Sequence, residues 1–267
     1  MILSYKGVKI NYNTVGKGVP VVFLHGFLEN STMWEETILL SSKYYHCISI
    51  DLLGHGDTEC LGYIHSMEDM ALAVKAVLDH LKISKTTLIG HSMGGYAALA
   101  FADLFPNIVL GLALLNSTSF PDSEERKINR TRAIDIVKKN PNAYTSMAIA
   151  NLFAEKNQSK FVNEIKQIKN QASKTPLQGI ISALEGMKTR KDRTAILKNL
   201  KVPKIIFAGQ LDPVLDYAQN IKEAEQCKTN LITLDGGHMS YIENKEEFLS
   251  ELQIFLRQTK EKKPRIL

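Results

Sequence analysis

The chain has 267 residues, of which 44% are hydrophobic and 23% charged, and its formal net charge is +5. These values are ordinary for a globular protein, and the length allows one large α/β domain or two small ones. No run of 18 consecutive apolar residues occurs, so the sequence predicts no transmembrane helix and no membrane partner.

The N-terminus and the cysteines bear on the compartment. The first residues lack a charged segment followed by an apolar core, so we expect no secretory signal peptide. Cys47, Cys60 and Cys227 are odd in number and widely spaced, which predicts neither a disulfide framework nor a metal site. The sequence therefore favours a cytoplasmic protein.

Short apolar strands alternate with helical patterns through the first 115 residues. A hairpin is predicted over 2–14, strands over 20–24, 46–50, 86–89 and 109–115, and helices over 33–43, 67–82 and the Ala-rich run after Ser92. The order resumes with a strand at 203–208, a helix at 216–226, a strand at 231–234 and a helix at 244–258, before a basic, frayed tail at 260–265. This alternation predicts a mostly parallel sheet with helices on both faces.

Residues 117–202 differ from the rest of the chain. They contain no comparable strand and predict four or five helices, broken near Pro121, Pro141 and Pro176. They carry 17 Lys and Arg against 8 Asp and Glu, a net charge of +9. Because ligands of open α/β sheets bind at the carboxyl ends of the strands, we expect 117–202 to form a lid over a site there, and 1–116 with 203–267 to form the core.

The strongest motif is the run GHSMGG at 90–95, which lies between a strand and a helix. A G-x-S-x-G pattern in that setting is a nucleophile elbow, a sharp turn that exposes the hydroxyl of Ser92 above the sheet. Gly90 and Gly94 are expected there because side chains would clash with neighbouring backbone. The alternative is a glycine-rich turn with an idle serine.

A serine nucleophile needs a base and an acid that orients the base. His238 follows two glycines directly after the last predicted strand, and Asp212 follows the preceding strand. The order Ser92, Asp212, His238 is that expected after such an elbow. Asp216 and Asp235 are rival acids, but Asp216 is placed to begin a helix and Asp235 is too close in sequence to His238.

The oxyanion of acyl transfer needs hydrogen-bond donors. The backbone amides of Met93, after the nucleophile, and Phe27, in the loop after an early strand, are the predicted donors. His25 is a candidate substrate contact, although a structural role is favoured for it, as for His55 and His91. Candidate pocket residues in the predicted lid are Tyr144, Met147, Phe153 and Met187, with a place in the helical core as the alternative.

With these positions assigned, nearly the whole chain resembles the α/β-hydrolase superfamily. The resemblance is carried by residues 25–27, 51–56, 90–95, 209–212 and 237–238. It implies an eight-stranded sheet whose second strand is antiparallel, a helical lid after the sixth strand, and no cofactor. One departure is Thr58, where many relatives have serine.

Within the superfamily, the chain looks like small carboxylesterases, enol-lactonases and carbon–carbon bond hydrolases. Residues 187–193 resemble a lid-to-core junction common in that group, whereas haloalkane dehalogenases and epoxide hydrolases carry aspartate at the position of Ser92. The resemblance implies a serine hydrolase that cleaves small to medium carboxylic esters through an acyl-enzyme. A lactonase, a thioesterase or a carbon–carbon bond hydrolase on the same triad is the alternative.

The basic 117–202 segment allows three interpretations. Its charge could steer an anionic substrate or an acidic carrier protein toward the site, or it could be a solvated Lys-rich face. A nucleic-acid partner is not expected, because no stacking aromatic residues alternate with the basic ones. A non-catalytic binding module is disfavoured, since a pure receptor need not keep all three triad groups.

Overall fold

The computed structural model describes residues 1–260, and these form an eight-stranded sheet. The strands are β1 (Ile2–Tyr5), β2 (Val8–Val15), β3 (Val19–Leu24), β4 (Tyr45–Ile50), β5 (Thr86–His91), β6 (Val109–Leu115), β7 (Lys204–Gly209) and β8 (Asn230–Leu234). Their spatial order is β1-β2-β4-β3-β5-β6-β7-β8. The second strand, β2, is antiparallel to β1 and β4, and the remaining neighbours are parallel. The predicted fold class is confirmed.

Helices cover both faces of this sheet. They are α1 (Glu35–Ser41), α2 (Met67–His80), α3 (Met93–Leu104), α4 (Glu124–Lys139), α5 (Pro141–Ala150), α6 (Val162–Ala172), α7 (Leu177–Lys188), α8 (Thr194–Asn199), α9 (Tyr217–Cys227), α10 (Ser240–Glu243) and α11 (Lys245–Gln258). Among the described residues, no helix has the length and apolar character needed to span a membrane.

The sheet divides the core into two layers. Successive side chains of a strand point to opposite faces, and β3 shows this clearly. Val22 and Leu24 pack in the larger layer with α2 and α3. Val21 and Phe23 pack in the other layer with residues such as Trp34 and Phe248. Burial of β3 on both faces explains its continuous apolar sequence.

Five helices lie between β6 and β7, in residues 117–202, which we call the helical segment. Helix α4 packs against α5 and α7, and α5 packs against α6. The short helix α8 packs instead against α3 and α9 of the sheet layers. Two of the three predicted helix breaks lie at helix starts: Pro141 is the first residue of α5, and Pro176 is the N-cap of α7. Pro121 lies in the loop before α4, which begins at Glu124 with Ser123 as its N-cap.

Two predicted helices begin differently in the structure. The helix expected over 33–43 starts as a 3-10 turn at Ser31–Trp34, because the Asn30 side chain accepts the Thr32 N–H, and continues as α1. The helix expected over 244–258 is α11, preceded by the separate turn α10. The predicted frayed tail lies outside the described residues, except for Lys260.

Candidate active site

Ser92 stands at a sharp turn between β5 and α3. Its backbone has φ 49° and ψ −114°, a strained conformation for a residue with a side chain. A Cβ atom at Gly90 would collide with the backbone of Gly94, and one at Gly94 would collide with the backbone of Leu24. The two glycines therefore let the strand and helix approach closely enough to form the turn, as the motif predicts.

The structure brings Ser92, His238 and Asp212 together at the carboxyl ends of three strands. His238 Nε2 lies 2.8 Å from Ser92 Oγ. His238 Nδ1 lies 2.7 Å from Asp212 Oδ2. The rival acids are engaged elsewhere: Asp216 accepts the Ala218 N–H at the start of α9, and the exposed Asp235 pairs with Lys156.

The carboxylate of Asp212 is held as an anion by its surroundings. Burial alone would raise its pKa, but His238 and the backbone N–H groups of Leu215 and Val214 outweigh burial and hold the pKa of Asp212 below its ordinary value. An ionised Asp212 fixes the orientation of the His238 ring and would stabilise its protonated form.

Asn116, which the sequence analysis missed, connects the acid to the histidine loop. Its Nδ2 atom donates to Asp212 Oδ2 at 3.0 Å and to the Gly237 carbonyl oxygen at 3.1 Å. Asn116 directly follows β6 and has a φ of 44°, a region that asparagine tolerates better than most residues. A turn-forming asparagine at the end of a buried strand was the available signal.

The two predicted oxyanion donors lie on either side of Ser92. Met93 is the first residue of α3, so its N–H belongs to the unpaired first turn of a helix. Phe27 follows Gly26, whose N–H donates to Glu29 Oε2 at 2.9 Å. Within the described part of the chain, neither the Phe27 N–H nor the Met93 N–H has a hydrogen-bond acceptor. Both amides are therefore free to bind a substrate oxygen.

A buried ion pair lies next to the triad. His91 Nδ1 lies 2.6 Å from Glu29 Oε2, and Tyr241 Oη donates to Glu29 Oε1 at 2.9 Å. Burial alone would lower the pKa of His91, but the Glu29 carboxylate raises it above its ordinary value. The other His91 nitrogen, Nε2, lies 2.9 Å from the carbonyl oxygen of His238. The roles of Glu29 and Tyr241 were missed, because neither belongs to a recognisable local motif.

Two further histidines brace the backbone near the site. His25 Nδ1 lies 2.7 Å from the Gly26 carbonyl oxygen, and its Nε2 accepts the Leu52 N–H. Burial lowers the pKa of His55 to about 3, so this ring is neutral at physiological pH. His55 Nδ1 lies 3.1 Å from the Leu53 carbonyl oxygen. The backbone contacts of His25 and His55 fit the structural role that the sequence favours for these residues.

A cavity of about 160 Å³ opens at Ser92 and His238. Its wall includes Phe27, and, from the helical segment, Tyr144 and Met187. Three other candidate contacts do not line it: His25 is fully buried, Phe153 packs against Phe161, and Met147 is 52% exposed. A larger groove of about 490 Å³ between α1 and α6 shares Glu29 with this cavity but excludes Ser92.

The helical segment is hydrogen-bonded to the loop that carries His238. The His238 N–H donates to the Leu152 carbonyl oxygen at 2.8 Å. Glu243 accepts the N–H of Gly237 at 2.9 Å, the N–H of Ala154 at 3.1 Å and the Nδ2 of Asn157 at 2.7 Å. We call this set of contacts the Leu152 seam. It joins the helical segment to the loop that carries His238.

Residues 1–260 contain no cluster of three or more His, Cys, Asp or Glu side chains arranged to hold a metal ion. The site itself places a hydroxyl, an imidazole and a carboxylate in one hydrogen-bonded row. Such a row can activate a hydroxyl for attack on a carbonyl carbon.

Comparisons with known proteins identify the family of this fold. The sequence profile of the alpha/beta hydrolase fold matches residues 19–245. An esterase from Thermogutta terrifontis, solved with malate bound, superposes with a TM-score of 0.90 at 28% identity over 97% of both chains.

Two curated proteins align along most of their length. The 3-oxoadipate enol-lactonase 2 of Acinetobacter baylyi is 24% identical over 249 residues, which are 92% of each chain. A candidate non-heme haloperoxidase of Mycobacterium phage D29 is 26% identical over 249 residues, covering 89% of this chain and 87% of that protein. The profile match spans far more than half of the sequence, and the chain therefore belongs to the alpha/beta hydrolase fold family and is a hydrolase.

Proposed function

We propose that the chain is a serine hydrolase that cleaves carboxylic esters of small molecules through an acyl-enzyme on Ser92. The observation that carries this proposal is the row of two short contacts, 2.8 Å from Ser92 Oγ to His238 Nε2 and 2.7 Å from His238 Nδ1 to Asp212 Oδ2. The esterase of Thermogutta terrifontis, at 28% identity, supports the same reaction class.

In the proposed mechanism, Ser92 Oγ attacks the ester carbonyl carbon while His238 Nε2 takes the hydroxyl proton. The amides of Phe27 and Met93 hold the resulting oxyanion, an interaction for which one donor contributes about 2.7–4 kcal/mol to transition-state stabilisation. His238 then gives the proton to the leaving alcohol. Water, deprotonated by His238, attacks the acyl-enzyme and releases the acid, and the proton returns to Ser92.

The proposed domain organisation is a core of 1–116 and 203–267 and a lid of 117–202. Tyr144 and Met187, from the helical segment, line the same cavity as Ser92, which supports a covering role. Ligand pockets commonly measure roughly 300–1,000 Å³. A cavity of about 160 Å³ favours a short acyl or alcohol group.

The test is hydrolysis of p-nitrophenyl esters from acetate to decanoate by the native protein, Ser92→Ala and Ser173→Ala. Ser173 is an exposed serine after α6 and serves as the matched control. We expect turnover that favours short esters and that is lost only in Ser92→Ala, together with Ser92-dependent labelling by a fluorophosphonate. Equal turnover by native protein and Ser92→Ala would refute the mechanism.

A lactonase is the second candidate. The same triad opens a lactone when the leaving alcohol stays attached to the acyl group, and the 3-oxoadipate enol-lactonase aligns over 92% of this chain. Ring opening of small lactones, followed by proton release, distinguishes this activity. A kcat/KM for lactones well above that for open-chain esters of equal size would favour it.

A further inference from the structure

Three arginines converge on one buried carboxylate in the helical segment. The side chain of Asp122 has no exposed surface. Its carboxylate accepts hydrogen bonds from Nε and Nη2 of Arg130. Its Oδ1 atom lies 2.5 Å from Arg190 Nη1 and 3.2 Å from Arg126 Nε. Guanidinium groups keep their charge in proteins. The cluster therefore has two more positive charges than negative ones.

The surplus charge faces the cavity that contains Ser92. Arg126 and Arg130 are four residues apart, on one face of α4, and both line this cavity. Arg190 does not line it, because its Nε donates to the Phe120 carbonyl oxygen and its guanidinium covers the Tyr96 ring at 4.1 Å.

Donors on the two cavity-lining arginines remain available. Arg126 uses Nη1 to donate to the Val214 carbonyl oxygen at 2.9 Å, and Arg130 uses Nε and Nη2 on Asp122. Within residues 1–260, Nη2 of Arg126 and Nη1 of Arg130 have no hydrogen-bond acceptor. The acidic side chain that lines the cavity, Glu29, is already paired with His91.

The rest of the wall is mainly apolar, with Ala148, Ile149, Leu152, Met187 and Val214 among its residues. The side chain of Arg126 is 32% exposed and that of Arg130 is 15% exposed, so solvent compensates their charge only in part and an anion in the cavity would complete the compensation. The planar guanidinium fork matches a carboxylate, with two parallel hydrogen bonds.

We propose that the preferred substrates are small esters that carry a second, ionised carboxyl group, held by Arg126 and Arg130 while Ser92 attacks the ester. This inference rests on the proposed esterase function. It attributes the preference for an anionic substrate to two arginines in contact with that substrate, rather than to the diffuse charge of the helical segment.

The test compares mono-p-nitrophenyl glutarate with p-nitrophenyl pentanoate, which is of similar length and neutral. The readout is the ratio of kcat/KM for the anionic ester to that for the neutral ester. We expect the native protein to favour the anionic ester roughly 10- to 100-fold, the range for a hydrogen bond to a charged group. Arg126→Gln and Arg130→Gln are each expected to lower the ratio about tenfold.

Arg132→Gln is the matched control. Arg132 lies on the same helix and is exposed, and among the residues described its side chain is hydrogen-bonded only to Asn129. Its loss changes the net charge equally, so an unchanged ratio in Arg132→Gln separates direct contact from long-range steering. A native ratio near one, or a ratio that Arg132→Gln lowers as much as Arg126→Gln, would overturn the proposal.

Calorimetric binding of glutarate, with neutral glutaramide as the comparison, gives a readout that needs no turnover. Glutarate is expected to bind the native protein at least tenfold more tightly than glutaramide, and Arg126→Lys is expected to retain more of this difference than Arg126→Gln. Absence of fluorophosphonate labelling would refute the esterase function itself. Labelling and neutral-ester turnover without selective glutarate binding would refute only the carboxylate subsite.

Discussion

Glu29 and His91 form an ion pair that is almost fully enclosed, with 2.6 Å between Glu29 Oε2 and His91 Nδ1. Burial alone would raise the pKa of Glu29, but the His91 cation lowers it. Burial alone would lower the pKa of His91, but the Glu29 carboxylate raises it. Because His91 Nε2 also faces the His238 carbonyl oxygen, the pair supports the loop that positions the proposed base.

Glu29→Gln tests this ion pair. The variant leaves His91 without a counterion, so we expect the pKa of His91 to fall and the free energy of unfolding to drop by about 3–5 kcal/mol. Both changes are measurable, the first by NMR titration of the ring and the second by urea denaturation. An unaltered His91 titration would show that Glu29 does not hold the proton on His91.

The pH dependence of this loss follows from the two shifts. The raised pKa of His91 adds stability that is complete below its ordinary value of 6.5 and is lost as pH rises through the folded-state pKa. The lowered pKa of Glu29 adds stability that is complete above 4.5 and is lost as pH falls through the folded-state pKa. The difference between native protein and Glu29→Gln should therefore be largest between pH 4.5 and 6.5.

Asp122→Asn tests the arginine cluster as a support for α4. Removal of the only carboxylate shared by three guanidinium groups is expected to lower the free energy of unfolding at pH 7 by about 3–5 kcal/mol. Burial alone would raise the pKa of Asp122, but Arg130 and Arg190 lower it below its ordinary value of 3.8. Its contribution is thus present above pH 3.8 and is lost as pH falls through the folded-state pKa, so native and variant should converge in acid.

Asp79→Asn is the control for Asp122→Asn. Asp79 pairs with Lys75 on the surface of α2, and its side chain is 60% exposed. Solvent screens such a pair, and the expected change in the free energy of unfolding is about 0.5 kcal/mol or less. Equal losses in the two variants would contradict a special role for the buried cluster.

Asn116→Asp tests the connection between the acid and the histidine loop. A carboxylate at this position would add a negative charge beside Asp212 and favour the protonated, inactive form of the His238 ring, which shares Asp212 Oδ2 with Asn116. We expect the acid limb of the kcat/KM profile for a p-nitrophenyl ester to move to higher pH by about one unit. Asn116→Gly keeps the backbone conformation and removes the amide, so it should lower kcat without that shift. Coincident acid limbs in native protein and Asn116→Asp would contradict the assignment.

Glu243→Ala tests the Leu152 seam. The substitution removes the acceptor of three N–H groups, of which two belong to the helical segment. We expect amide hydrogen exchange in residues 150–160 to accelerate at least tenfold, since a hydrogen bond to a charged group contributes about 1.5–3 kcal/mol. Glu246→Ala removes an exposed glutamate of α11 and should leave this exchange unaltered. Similar exchange in both variants would count against the seam.

The elements that sequence predicts best depend on local rules. The turn at Ser92 is predicted by Gly90 and Gly94, because a side chain at either position would collide with nearby backbone. Strand β3 is predicted by its apolar run, which is buried on both faces of the sheet. The order of Asp212 and His238 after their strands places both at one edge of a parallel sheet. Those interpretations need only short stretches of sequence.

The remaining site residues depend on contacts between distant segments. Tyr241 reaches Glu29 across 212 positions, and Asn116 reaches Asp212 across 96. No pattern within a short stretch of sequence predicts such pairs. The different positions of Tyr144 and Met147 also depend on distant contacts. Both residues lie on α5, but the packing of this helix buries Tyr144 and Ile149 and leaves Met147 exposed to solvent.

The Leu152 seam has a consequence for recombination between relatives. The His238 N–H donates to a carbonyl oxygen of the helical segment, so the loop that carries His238 depends on backbone from outside the core. A chimera that exchanged residues 117–202 for another insertion would have to supply an acceptor at the position of Leu152 and donors for Glu243. Single substitutions that leave the backbone of Leu152 and Ala154 and the side chain of Asn157 in place therefore disturb the loop that carries His238 less than replacement of the whole helical segment.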